Sequence, residues 1–482
     1  MKRVERFLPV IFFISLLTVY GLTLAPGLTW ANRGADGGDL ITAAETGGIP
    51  HPTGYPVYIL LARLFQFLPI GSLAYRTNIL SAIAAALASV LVFELVRRSL
   101  PSRSNFSGLV SGVAFGLSPL LWSQAIITEV YTLHALFIAL ILFWSLFPPS
   151  KDKEKSDLAL GLVFGLGLGS HLTTLLLLPL LLAPSVSIQE KRWRLDMWCL
   201  FHRLLGMGLG LLVYLVLPLR AISQPPVNWG NPVAWDGFSW LVSGRYYQGE
   251  VFALTIPSLW ARIQSAVIFL VSQFGILGVC AGLLGVIFFL RRSPLFGKTL
   301  WTMMAFSIFT IVYATEDSFV YFIPPVMCLA IWIALGVDGL MEMASRKIPK
   351  SGWVVGLLFL LSLIYVASGN WSRVDASRDA RAEQFGRLVM SQMPGDALVF
   401  VQGDQAVFSL WYFHYALHQR TDIAVIVMDL LQFDWYQETL METYPTLTVP
   451  VPYPFPDALI SANPNRPVCI VDYDVQANIR CP

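Results

Sequence analysis

Three acidic positions stand out in an otherwise apolar chain: Asp36 and Asp39 in GADGGDL, and Glu129 in SQAIITEVYTLHAL. A carboxylate at a membrane face is costly to desolvate and usually serves a function there. Asp36 is a candidate general base, because its glycine neighbours leave it accessible and a membrane-side carboxylate can have a raised pKa. The alternative is a turn or helix N-cap. Asp39 either backs Asp36 or caps a helix beginning at Leu40. Glu129 either joins the same site or sits in a first helical turn, where the dipole favours it by under about 1 kcal/mol. His51 lies in a proline-flanked turn; it orients the acid loop, binds an anion, or packs. His171 is polar at membrane depth and therefore a site candidate. Arg220 and, more weakly, Arg76 carry guanidinium forks that suit a phosphate, against ordinary interfacial snorkelling. Asn228 and Trp229 in PPVNWGNP are candidates for shaping the rim.

The elements that must position these residues are membrane helices. The chain has 482 residues, 56% hydrophobic and 13% charged, with mean hydropathy +0.64. Soluble domains carry about 25% charged residues, so this is a polytopic membrane protein with limited soluble mass. No basic cluster with interleaved aromatics suggests nucleic acid. Apolar segments fall at 7–25, 78–96, 107–126, 130–147, 158–170, 171–185, 204–220, 264–290, 299–315, 318–343 and 352–369, which predicts eleven spans. The first is longer than a signal-peptide core of about 7–15 residues and is read as an uncleaved span. Lys2, Arg3 and Arg6, then Arg97, Arg98 and Arg103, Lys151, Lys153 and Lys155, Lys191, Arg192 and Arg194, Arg291, Arg292 and Lys298, and Arg346, Lys347 and Lys350 all fall on one side, the cytoplasmic one. Segments 158–170 and 171–185 are too short for two full spans and predict a helical pair turning near His171.

Two exoplasmic loops have structure of their own. YPVYILLARLFQFLP predicts an interfacial helix, and WDGFSWLVSGRYYQ another with interfacial aromatics. Residues 1–370 form the transmembrane part. Residues 371–482 read as a small extracytoplasmic α/β domain, because DALVFVQGD, DIAVIVMD and RPVCIVDYD alternate with helical stretches and predict a mostly parallel sheet. Cys469 and Cys481 fall in this tail, and their spacing leaves pairing open. No Cys/His cluster marks a metal site, and Asp472-x-Asp474 reads as a solvated strand end.

Four stretches in order carry a resemblance: the run from GADGGDL through HPTGYPVYILLARLF, then SPLLWSQAIITEVYTLHALF, GLGLGSHLTTLLLLP and YLVLPLRAISQPPVNWGNP. Together they resemble the domain-of-unknown-function 2723 family, with its transmembrane protein 260-type O-mannosyltransferases. The resemblance covers roughly the first 250 residues well and the tail more loosely. Asp39 stands where the family often has Glu, Thr53 where it has Pro, and His134 where it has Asn. The family is similar to C-type glycosyltransferases, multi-pass enzymes with a polyprenyl-phosphate sugar donor and an acidic residue in the first exoplasmic loop. The resemblance implies transfer of a hexose, mannose being the first candidate, to a hydroxyl of an exported protein or envelope glycan, in a bacterial plasma membrane. It implies Asp36 as base with Asp39 and Glu129 near it, and Arg220 and His51 at the donor phosphate. Tyr55, in the family's turn motif, Arg76, His171, Asn228 and Trp229 are the further substrate-binding candidates. No particular cofactor is indicated; a divalent cation bridging Asp36, Glu129 and the phosphate is compatible with the chemistry. A transporter or lipid flippase is the rival expectation, although no internal repeat is visible.

Overall fold

The computed structural model describes residues 2–100, 104–183, 196–289, 294–315, 317–450 and 455–481. Arg103, Lys191, Arg192, Arg194, Arg291 and Arg292, used above for orientation, lie outside the described residues. The N-terminal half contains α1 (Lys2–Thr23), α2 (Gly37–Thr46), α3 (Pro56–Gln66), α4 (Leu73–Ser99), α5 (Ser104–Gly116), α6 (Pro119–Ala125), α7 (Tyr131–Trp144) and α8 (Lys153–Ser170). A 3-10 turn over Leu172–Leu177 leads into α9 (Leu178–Leu182), followed by α10 (Met197–Leu211), α11 (Val216–Ala221) and α12 (Trp235–Val242). Then come α13 (Ile256–Phe289), α14 (Pro294–Val312), α15 (Ile323–Lys347), α16 (Ser351–Gly369) and the short α17 (Trp371–Val374).

Each of the eleven apolar stretches lies mainly in helix. Among the described residues, six helices are long and apolar enough to cross a membrane, or seven if the bent pair α5–α6 counts as one span. That pair turns by 66° at Leu117-Ser118, where Pro119 disfavours helical backbone in the residue before it. The first leg of the expected short pair is longer than its apolar run. Asp152 caps α8 by accepting from Glu154 and Lys155 N–H, so the helix starts inside the basic loop. Its 18 residues extend about 27 Å, close to a hydrocarbon core of about 30 Å.

Small residues set the helix spacing. Gly161 and Gly165 on α8 meet Gly206 and Gly210 on α10, and a Cβ at Gly161 would fall 2.0 Å from the Arg203 carbonyl oxygen. Without water to squeeze out, membrane helices gain from such close backbone approach. Gly285 on α13 and Gly336 on α15 repeat the device. α15 is the central helix, its span 94% buried, whereas α16 at 22% keeps most of its apolar surface for lipid.

The tail packs on this bundle. It comprises α18 (Arg381–Gln392), β1 (Leu398–Val401), α19 (Asp404–Trp411), β2 (Ala424–Val427), α20 (Asp434–Thr443), α21 (Pro456–Ala462), β3 (Val468–Tyr473) and β4 (Ala477–Arg480). The sheet order is β2-β1-β3-β4; β1 pairs parallel with β2 and β3, and β4 is antiparallel to β3. The three parallel strands are the three expected from the sequence, joined by helices as such crossovers require. A disulfide joins Cys469 to Cys481 across the outer hairpin.

Candidate functional site

The site begins at the N-terminus of α2. Asp36 occupies the N-cap position but makes no capping hydrogen bond, so its carboxylate faces an open space with 30% of the side chain exposed. Asp39 does not cap a helix at Leu40: α2 starts at Gly37, and Asp39 is fully buried in its first turn. Its Oδ2 accepts the His51 backbone N–H at 2.9 Å and faces His51 Nδ1 at 2.7 Å. His51 Nε2 lies 3.7 Å from Asp36 Oδ2, so the imidazole bridges the two carboxylates. The ring is held by Tyr55 edge-on at 5.2 Å, by Phe408 stacked at 6.3 Å and by Trp229 edge-on at 6.4 Å between centroids.

α2 is fixed from outside by the tail. A Cβ at Gly38 would lie 2.2 Å from the Phe408 carbonyl oxygen, so only glycine lets α19 approach this closely. That contact brings Asp404, the first residue of α19, to the same space as Asp36 and His51.

Two cavities meet there. One, of about 480 Å³, is lined by Asp36, His51, Tyr55, His171, Asp317 and Asp404 on its polar side, and by apolar groups including Leu172, Leu175, Leu176, Val251 and Phe309. Its lining contains no lysine or arginine among the described residues. The other, of about 530 Å³, is more polar, with Glu129, Ser123, Gln124, Gln273 and Arg373 in its wall. Asp36, Tyr131 and Asp317 line both. Glu129, just ahead of α7, is 4% exposed, and its backbone N–H reaches the Ser81 hydroxyl at 3.4 Å.

The electrostatics follow from burial and from neighbouring charge. Burial pushes the Asp36 carboxyl up to about 6, with the Asp404, Asp317 and Asp39 charges adding to the rise and His51 opposing it. Burial alone would lower His51, but the carboxylates of Asp36 and Asp39 outweigh it and raise the imidazole to about 9. Asp404 is raised by burial. Glu129 is raised well above the ordinary carboxyl range by burial and then by the Asp36 charge. A carboxylate near 6 remains ionised at neutral pH and is close to the optimum for a general base.

His171, in the turn between α8 and the 3-10 segment, lines the first cavity, with Nδ1 2.8 Å from the Thr173 hydroxyl and its ring against Tyr55, Tyr131 and Tyr321. The two arginines expected near a phosphate are elsewhere. Arg220 donates to the Gly48 carbonyl at 3.1 Å, at the C-terminal end of α2, and Arg76 donates to the carbonyls of Gln66, Ile70 and Gly71. Neither lines the cavities; both satisfy carbonyls left open at helix ends and turns. Asn228 pairs in register with Ile49 and opens onto a third, smaller cavity of about 210 Å³ shared with Glu438 and Glu442. Trp229 lies behind His51 rather than on the rim.

Asp317 and Asp404 were missed from the sequence. Asp404 follows strand β1 in VQGD, and ligand sites in parallel sheets collect at the carboxyl ends of strands. Asp317, in ATEDSF between two spans, satisfies the argument that singled out Asp36 and Glu129: a carboxylate at a membrane face. No group of three or more His, Cys, Asp or Glu side chains has the geometry to hold a metal among the described residues.

Residues 36–194 match the protein O-mannosyl-transferase TMEM260 N-terminal domain. Residues 382–476 match TMEM260-associated domain 2. The matches carry the TMEM260 name rather than the domain-of-unknown-function 2723 name expected from the motifs. The chain is 27% identical over 469 residues to the protein O-mannosyl-transferase TMEM260 of Mus musculus, covering 92% of this chain and 65% of the relative. It is 24% identical over 526 aligned positions to the Dictyostelium discoideum protein of that name, covering 96% of this chain and 63% of the relative. The chain thus spans a little under two thirds of the length of these curated relatives. In fold it is similar to ArnT from Cupriavidus metallidurans, solved bound to undecaprenyl phosphate, with a TM-score of 0.61 at 13% identity over 96% of this chain and 92% of that one. It is also similar to the archaeal oligosaccharyltransferase AglB from Archaeoglobus fulgidus, solved with an inhibitory peptide and a dolichol-phosphate, with a TM-score of 0.52 at 12% identity over 98% of this chain and 69% of that one. The chain therefore shares its multi-helix fold with ArnT and AglB.

Proposed function

We propose that this chain is a membrane glycosyltransferase that moves a hexose, mannose first among candidates, from a polyprenyl-phosphate donor to a hydroxyl of a protein acceptor. The observation that carries this reading is the placement of Asp36 where an apolar-walled cavity meets a polar one. A lipid-linked donor needs the first kind of wall and a hydrophilic acceptor the second. The TMEM260 relatives support mannose and a protein acceptor, and the ArnT and AglB folds support a polyprenyl-type donor.

In the reaction, the acceptor hydroxyl oxygen attacks the sugar C1 from the polar side. Asp36 takes the hydroxyl proton, the C1–O bond to phosphate breaks, and the phosphate leaves with the electron pair. Glu129 borders the acceptor side. His171 is the nitrogen donor on the donor side, taking the place first given to Arg220, while both His51 ring nitrogens face carboxylates. The chain crosses the bilayer eleven times, with the basic loops cytoplasmic and the tail exoplasmic.

The test is transfer by purified protein in lipid from a panel of radiolabelled polyprenyl-phosphate hexoses to peptide and glycan acceptors. Asp36→Asn should lower kcat by at least about 100-fold, the lower bound for losing a general base, with an unchanged melting temperature. Donor binding with equal turnover by both proteins removes Asp36 from the chemistry. Absence of donor binding removes the transferase reading.

A further inference from the structure

We infer that Asp39 and His51 are a positioning pair whose task is to keep Asp36 ionised as the base; this rests on the transferase reading above. The geometry points to it directly. Asp39 has no exposed surface, and one of its oxygens takes both the backbone N–H and the ring Nδ1 of His51, at 2.9 and 2.7 Å. A carboxylate can only accept, so Nδ1 carries a proton and Nε2 is presented to Asp36, 3.7 Å away. The second Asp39 oxygen has no hydrogen-bond partner. A buried carboxylate left half-satisfied is very costly unless a cation stands beside it. His51 is the neighbour that can become that cation, by protonating Nε2 as well.

The groups facing His51 from each packed element are few. They are Asp39 and Asp36 from α2, Asp404 from α19, Tyr55 ahead of α3, Trp229 from the loop before α12, the Phe408 ring and, across the cavity, the His171 imidazole. Three are acidic and none is a lysine or arginine, so the surroundings favour the imidazolium, in keeping with a ring raised to about 9. Asp36 has the opposite problem. Burial and three neighbouring carboxylates drive it toward the protonated form, and the imidazolium is the charge that opposes them. Remove it and the base becomes neutral in the range where it must act. Asp39 lines neither of the two cavities; it works through His51.

The experiment is the pH dependence of kcat in reconstituted protein, with wild type, His51→Gln, Asp39→Asn and the charge-retaining Asp39→Glu compared. Alongside it, imidazole titration is followed by NMR in 13C-histidine-labelled protein. The pair predicts that the acid limb, near pH 6 in wild type, moves up by about one unit or more in His51→Gln. It stays near its wild-type place in Asp39→Glu. The His51 ring stays protonated through about pH 8 in wild type and loses its proton lower in Asp39→Asn. A drop in kcat with an unmoved limb, or a His51 ring neutral at pH 7 in wild type, overturns the inference. If no donor is turned over by wild type, the transferase reading fails, while the NMR titration still decides the pair.

Discussion

Asp404 and His51 act on Asp36 with opposite sign. Removing the Asp404 charge relieves Asp36 of a like neighbour, so Asp404→Asn should move the acid limb of kcat to lower pH, opposite to His51→Gln. A matched pair of pH profiles checks this, and a shift in the same direction for both variants refutes it. The imidazole also has a stability consequence. Its pKa in the fold, about 9, exceeds the ordinary 6.5, so its stabilising contribution is complete below about 6.5 and is lost as pH rises through about 9. The melting temperature should therefore fall across that interval in wild type and fall less in His51→Gln. Asp36, Asp39 and His51 were legible because glycines and prolines crowd one loop between apolar segments with polar groups. Their partition was not: Asp39 looked like a cap and is the buried partner of His51. Arg220 looked like a phosphate ligand because it ends an apolar run, but the free carbonyls at the end of α2 claim it.

At the scale of elements, two glycine contacts carry the most weight. Gly38→Ala places a methyl 2.2 Å from a backbone oxygen that cannot rotate away, so α2 and α19 must separate. We expect a loss of about 1–3 kcal/mol from overpacking and a larger loss of activity, since Asp404 and Asp36 part company. Thermal melting and transfer assays on the one variant check both. Gly165→Val should disturb the crossing of α8 and α10 in the same way and loosen the turn that holds His171. Reducing or replacing the Cys469–Cys481 bridge should act only on the outer hairpin; closing so short a loop is worth about 2–3 kcal/mol. Limited proteolysis after reduction should cut the β4 segment while leaving transfer intact. The apolar runs announced the helices. The glycine spacing that decides which helices touch was equally visible in the sequence, in GLVFG and GMGLG, but a spacing does not name its partner.

For the whole molecule, the tail is part of the cavity wall around Asp36 rather than an appendage. The sequence reading separated residues 371–482 by composition as a domain of their own. Composition could not reveal that α19 closes the wall around Asp36, because that contact joins segments far apart in the chain. A protein truncated before Arg381 should thus fail even with a short, unstructured acceptor peptide. Residual transfer to such a peptide would show that the tail is not needed for the chemistry.

The Gly38–Phe408 contact also sets an order of events during synthesis. Helices leave the ribosome from the N-terminus, so Asp36 reaches the membrane surface long before residue 404 exists. Until the last quarter of the chain is made and docks, the chamber has an open side and lacks one of its acids. If the proposed transferase reading holds, a growing chain meets lipid-linked sugar without discharging it into water, and competence arrives in one step with the final fold. Chains stalled before Asp404 should be inert, and the lag between insertion and activity should equal the time needed to translate and seat the tail.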